Sequence, residues 1–246
     1  MDHSTEETPR VGWFNPMSLR NREVILPELQ NIFKSQLSEN LNFLSVAEGS
    51  GSHIKYFHPH FENWTFLPTE YQQNLVEIME QNLYDKNSKC LPKNVKTPII
   101  LDSSNFSNWD EIATKNKEFA PNNTFDIIFN VNMIHISPFS TAIGLFYGAG
   151  KYLTSGTGKL LIYGPFAFNG ALQPAGQSNI SFSSADLITL KKRIEWDQNL
   201  KSQSPEYGIR DVYRDLRKLA EDNGLFLDEI VPMPSNNHIL IYKKKS

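Results

Sequence analysis

One cysteine, Cys90, stands in 246 residues. It rules out an internal disulfide and favours a reducing compartment. No apolar run reaches the roughly 20 residues a membrane span needs. Basic residues are not in excess either. Lys and Arg number 24 against 27 Asp and Glu, giving a net charge of -3 and a pI near 6.1. That balance disfavours a broad nucleic-acid footprint. No metal site is expected. The stretch from Met1 to Pro9 is acidic and polar, unlike a secretory or mitochondrial presequence. The expected compartment is the cytosol, with the nucleus left open. Sequons at Asn63, Asn105, Asn122 and Asn179 read as chance. Hydrophobic content of 39% and a mean hydropathy of -0.42 describe a soluble globular chain.

What is present is a sharp break in a β-prone run. Leu44-Ser-Val-Ala-Glu-Gly-Ser-Gly-Ser-His53 passes from apolar residues into alternating small ones, Ala47, Gly49 and Gly51. Glu70 follows about twenty residues on, after the apolar run Trp64 to Leu67. This spacing marks a nucleotide-binding βαβ unit. Small residues let the backbone bend close to a ligand, and the following helix offers unpaired N–H groups. A carboxylate at the next strand tip can accept hydrogen bonds from both ribose hydroxyls. An ordinary tight βα turn would look the same. A dinucleotide site would continue with a third small residue, where Ile54 stands. The alternating pattern suits S-adenosylmethionine (AdoMet), which has no pyrophosphate to seat.

Periodicity gives the rest. The spacing predicts a polar disordered tail over 1–12 and one domain over 13–246. Helices are expected from Arg20 to Leu37 (with Pro27 in a first turn or at a kink), Ser52 to Phe57, Tyr71 to Leu83, Phe139 to Leu153, Leu187 to Leu200 and Asp211 to Asn223. Strands are expected at Phe43 to Ala47, Trp64 to Leu67, Thr97 to Leu101, Thr124 to Val131, Lys159 to Tyr163, Leu225 to Val231 and His238 to Lys243. Residues 105–123 read as a polar loop with a short helix from Trp109, and 166–182 as a functional loop or lid. Alternating strands and helices imply a mostly parallel sheet. The last strand–loop–strand is too short for a crossover, so that pair should be antiparallel.

Four later segments carry a resemblance: Asn132-Met-Ile-His-Ile-Ser-Pro138, Tyr163-Gly-Pro-Phe166, Pro205-Glu-Tyr-Gly-Ile-Arg-Asp211 and Met233-Pro-Ser-Asn-Asn237. In this order they resemble the methyltransferase-like protein 26 family, from about Arg20 to the C-terminus, leaving out the tail and an apparent insertion near 183–193. The resemblance implies an α/β, Rossmann-like class I methyltransferase with a seven-stranded, mostly parallel sheet, a C-terminal antiparallel hairpin and AdoMet over the strand ends. It implies that Ala47, Gly49 and Gly51 form the cofactor turn and that Glu70 binds the ribose. Asp102 falls where such folds hold the adenine amino group, and Asn132 ends the strand that floors the methyl-transfer site. Two positions depart: the family has an acid where this chain has Ser45 and a small residue where it has Glu48. Glu48 either supplies the missing carboxylate or crowds the turn. The second case would describe a non-catalytic AdoMet-binding or partner-binding protein.

His135, three residues past Asn132, is the first candidate base; a structural histidine fixing the loop before Pro138 is the alternative. Tyr163 either orients an acceptor or caps the sheet. Arg210, read as exposed beside the lid, is a natural clamp for a carboxylate or phosphate, whereas Asp211 reads as a helix cap. Asn236 and Asn237 suit a turn or a polar substrate. Phe166, Phe168 and Phe182 suggest an apolar acceptor pocket or anchor the loop. The expected acceptor is a small molecule or a protein side chain.

Overall fold

The computed structural model describes residues 9–115, 124–170, 172 and 184–246. Most of the expected N-terminal tail, part of the 105–123 loop, and most of the 166–182 segment including Phe182 lie outside the described residues. Contacts group the chain into two units, Met1–Leu101 and Asp102–Ser246. Among the described residues no helix is long and apolar enough to cross a membrane.

The first unit runs α1 (Pro16–Ile32), β1 (Asn42–Val46), α2 (Ser52–Phe57), β2 (Thr65–Glu70), α3 (Gln73–Leu83) and β3 (Ile99–Ile100). Asn15 starts α1, its side chain accepting the Met17 N–H at 2.8 Å, with Pro16 in the first helical turn, where a missing N–H costs nothing. Pro27 lies inside the helix. β1 and β2 pair in parallel, as do β2 and β3. Trp64 is fully buried, stacked on Phe61 at 4.0 Å and edge-on to Phe33 at 5.1 Å.

β2 continues through Pro68 to Glu70 rather than stopping at Leu67. The partnership toward β3 slips by one residue, from Phe66↔Val95 to Thr69↔Ile99. Pro68, two residues past the Phe66 N–H that donates to Asn94, faces that gap, so its missing donor breaks no ladder bond. The extension carries Glu70 to the strand tip.

The second unit runs α4 (Phe106–Lys115), β4 (Ile127–Val131), α5 (Phe139–Tyr152), β5 (Lys159–Ala167), α6 (Ser184–Gln203), β6 (Arg210–Asp211), a π-helical turn Val212–Leu216, α7 (Arg217–Asp222), β7 (Leu225–Met233) and β8 (Asn237–Lys244). β4 and β5 are parallel, β5 and β8 antiparallel, and β7–β8 form the expected antiparallel hairpin. The two-residue β6 lies parallel to the end of β5. The expected helix from Asp211 is thus replaced at its start by a strand pair and a π-helical turn. Asp211 still caps it, accepting from the Tyr213 and Arg214 N–H groups.

β5 also outruns its expected end at Tyr163. The Tyr163 carbonyl faces β4, accepting the Asn132 N–H at 2.9 Å. Pro165, two residues on, faces the same side where β4 has ended, so again no ladder donor is lost.

Gly144 and Gly148 bring α5 against the Asp102–Trp109 segment. A Cβ on Gly144 would lie 1.7 Å from the Ser103 carbonyl oxygen, and one on Gly148 2.3 Å from the Trp109 ring. Ser103 Oγ donates to the Thr141 carbonyl at 2.7 Å, and Trp109 Nε1 to the Ser103 carbonyl at 3.1 Å. Gly144→Ala should therefore cost about 2 kcal/mol or more in urea denaturation, whereas an unaltered midpoint would show that this approach is not tight.

Candidate active site

The turn between β1 and α2 is built from left-handed backbone. Ala47, Gly49 and Gly51 have φ of 57°, 68° and 88°. At Gly51 glycine is required twice over, because a Cβ would also meet Met79 Cγ at 3.0 Å. Ala47 takes the same conformation at a cost, since it has a Cβ. Nothing lies within 4 Å of a Cβ built on Gly49, so the backbone there is open to a ligand.

Glu70, at the tip of β2, closes this turn from the side. Its Oε2 accepts the Gly49 N–H at 2.9 Å and its Oε1 the Tyr71 N–H at 2.8 Å. The side chain is buried. Burial raises its pKa above the usual carboxylate range, hydrogen bonds from Gly49, Tyr71 and Gln72 pull the other way, and the Glu48 charge adds to the rise.

Glu48 does not project across the bend. Its carboxylate turns back: Oε2 accepts from Ser45 Oγ at 2.6 Å, and Oε1 from the His53 and Ile54 N–H groups at 2.9 and 3.0 Å. It therefore sits on the first turn of α2, where the helix dipole favours an anion, and uses Ser45 as its second anchor. Beside it, Ser52 Oγ and His53 Nε2 are buried without a hydrogen-bond partner, while His53 Nδ1 stands 3.6 Å from Glu48 Oε1. Unpaired buried groups of this kind are costly and suit a polar ligand.

The second unit supplies another cluster. Asp102 uses Oδ1 to accept from the Ser104 N–H and Oγ at 2.9 and 2.7 Å, which holds the chain in a tight turn. Asn132 ends β4 in left-handed conformation, φ 59°. Gly164 lies beneath it: a Cβ there would stand 3.4 Å from His135 Nδ1 and 3.6 Å from Asn132 Oδ1. His135, Asn132 and the end of β5 are thus brought together. Tyr163 Oη accepts from Asn237 Nδ2 at 3.1 Å, and burial raises its pKa. The His135 ring is edge-on to Trp196 of α6 at 5.4 Å. Burial first, and then the charge of Arg210, push its pKa down to about 4. The imidazole is neutral at pH 7.

Arg210 is half-buried, not exposed as expected. Nε donates to the Ile134 carbonyl at 2.8 Å, and Nη2 to those of Ser137 and Glu206 at 2.8 and 2.7 Å. These bonds staple the loop carrying His135 to the segment before β6, and the guanidinium lies over the Phe139 ring. Phe166 and Phe168 are buried.

Sequence reasoning missed Arg193. This α6 residue is 6% exposed, and its Nη2 donates to the Phe166 carbonyl. Its charge, after burial, pushes His238 down to about 4. The one available signal was its place three residues before Trp196, one helical turn away.

Parallel strands entered through a glycine turn, an acid at the second strand tip and an antiparallel closing hairpin make a Rossmann-like α/β fold, and solved methyltransferase structures share it. The chain is similar to an O-methyltransferase family protein from Burkholderia thailandensis (11% identity, TM-score 0.60, 92% of this chain and 60% of that one). It is likewise similar to CalO1, a methyltransferase in calicheamicin biosynthesis solved in its SAH-bound form (12%, 0.54, 92% and 59%). A third is human N-acetylserotonin methyltransferase in complex with SAM (10%, 0.55, 94% and 57%). The chain spans less than two thirds of the length of each. A family model described as "Protein of unknown function (DUF938)" matches residues 13–244, and the chain belongs to that family.

Glu48→Ala removes the acceptor for two helix N–H groups and should lower stability by about 1–2 kcal/mol in denaturant titration. No change would mean that water replaces the carboxylate freely. The buried histidines set an acid-side limit. With folded pKa values below the ordinary 6.5, His135 and His238 contribute stability that is present above pH 6.5 and lost as pH falls toward 4. The melting midpoint should fall across that window, and His135→Gln should remove of order 3 kcal/mol of the change. An equally steep fall in the variant would contradict the assignment.

Proposed function

We propose that this protein is an AdoMet-dependent methyltransferase acting on a small molecule or a protein side chain. The observation that carries this reading is the Glu70 carboxylate, held at the open glycine turn by the Gly49 N–H at 2.9 Å. A ribose at that turn presents two hydroxyl donors to a carboxylate already oriented. The four motifs that resemble the methyltransferase-like protein 26 family support the same reading, and so do the printed activities of the similar solved structures.

The residues present fit the cofactor. Glu70 would take the ribose hydroxyls, Ala47, Gly49 and Gly51 would let the nucleoside approach the backbone, and Asp102 would receive the adenine amino group. The orphaned Ser52 and His53 atoms suit the polar amino-acid end. Glu48 already occupies the N–H groups of His53 and Ile54, so this end offers negative charge and selects the ammonium rather than the carboxylate. When bound, the cofactor supplies an electrophilic methyl carbon on a sulfonium.

The acceptor is assigned to the ends of β4 and β5. Neutral His135 is the group that takes a proton from a hydroxyl or amine acceptor. Tyr163, held by Asn237, and Asn132 orient that acceptor. Arg210, whose N–H groups are engaged by carbonyls, positions His135. Catalysis consists mainly of alignment and exclusion of water.

Calorimetry with AdoMet and with its demethylated product tests this directly. Glu70→Ala should weaken binding at least about tenfold, the loss of a charge-assisted hydrogen-bond pair. His135→Ala should bind normally and turn over more slowly. Equal loss of binding from both changes would make His135 structural. Absence of AdoMet binding at millimolar concentration would leave a partner-binding protein as the reading.

A further inference from the structure

Arg193 carries charge that the described residues do not answer. It is 6% exposed, on α6, with Nη2 fixed to the Phe166 carbonyl and with Nε and Nη1 buried without acceptors. Burial accounts for the lowering of its pKa, with no carboxylate among the described side chains opposing it. An unpaired guanidinium out of water costs several kcal/mol unless an anion joins it. Nearby, His238 is 3% exposed with Nδ1 also unpaired, and its ring meets Phe168 edge-on at 5.1 Å. His238 stands opposite Gly164 in the β5–β8 ladder, the glycine that lies against His135 and Asn132. Arg193 is one turn of α6 from Trp196, which packs on His135.

We infer that Arg193 receives an oxyanion, a carboxylate or phosphate, borne by the methyl acceptor, with His238 and Phe168 beside it. This deepens the proposed methyltransferase reading and rests on its placing of the acceptor at the ends of β4 and β5. A planar guanidinium held at one nitrogen is oriented in advance for such a group. The aromatic edge of Phe168 favours an acceptor with a flat apolar body over a free inorganic ion.

The test uses the full chain with benzoate and phenyl phosphate as probes, read by thermal shift. At ten times its Kd, either probe should raise the native melting midpoint by about 4 °C. Which one acts at the lower concentration identifies the oxyanion. Arg193→Met should lose the response, and Arg193→Lys should keep part of it. Should the variants fail to fold, saturation-transfer NMR of the two probes on the native protein decides the matter. No effect of either probe at tens of millimolar, or an equal effect on Arg193→Met, would overturn the inference. AdoMet calorimetry on Arg193→Met separates the two levels of argument. Binding matched to native protein keeps the cofactor reading intact whatever the probes do. Native protein that takes a probe but no AdoMet would keep the anion site and lose the methyltransferase.

Discussion

A buried carboxylate reaching across a glycine turn is the contact on which the turn between β1 and α2 depends. Glu70 holds the Gly49 N–H, and through it the turn in which Ala47, Gly49 and Gly51 are left-handed, in one arrangement. Desolvation works against that carboxylate, and the neighbouring Glu48 adds to the burden. Three backbone donors offset part of the cost. Two hydroxyl donors from a ribose would offset more, so ligand affinity draws on an acid whose environment is incomplete alone. The long reach of β2 past Pro68 serves this contact by placing Glu70 at the strand tip.

Charge divides between the two units as the proposed methyl transfer would require. The first unit gathers buried anions, Glu48 and Glu70, around the turn. The second gathers guanidiniums, Arg193 and Arg210, around the ends of β4, β5 and β8. A sulfonium with an ammonium is the complement of the first set, and an acceptor bearing an oxyanion that of the second. Burial first, and then the same guanidinium cations, keep His135 and His238 neutral, so the candidate base needs no deprotonation at physiological pH. A histidine of ordinary pKa would be partly protonated there.

Much of this was legible from residues. The helix from Ser52 begins where the spacing places it, because Gly51 in left-handed conformation marks its start. The closing hairpin follows from the short Pro-Asn loop. Strand ends were less readable at Pro68 and Pro165, since proline breaks a strand only where a ladder bond is due, and at both places the neighbouring ladder slips or ends. The π-helical turn after Asp211 depends on a one-residue difference in hydrogen bonding that periodicity does not register. Glu48 read equally well as a plug or a substitute; its bonds to Ser45 and the α2 N–H groups turn the carboxylate back from the bend. Arg193 was hidden because Lys191-Lys-Arg193 looks like a solvated charged face, and only the fold shows one of the three turned inward.

The most direct measurement is a ¹H–¹⁵N titration of the native protein with AdoMet. If the ribose takes the Glu70 carboxylate, the Gly49 and Tyr71 amide signals, whose N–H groups now donate to it, should shift first and furthest. Saturating AdoMet that leaves both signals in place while moving others would contradict the account.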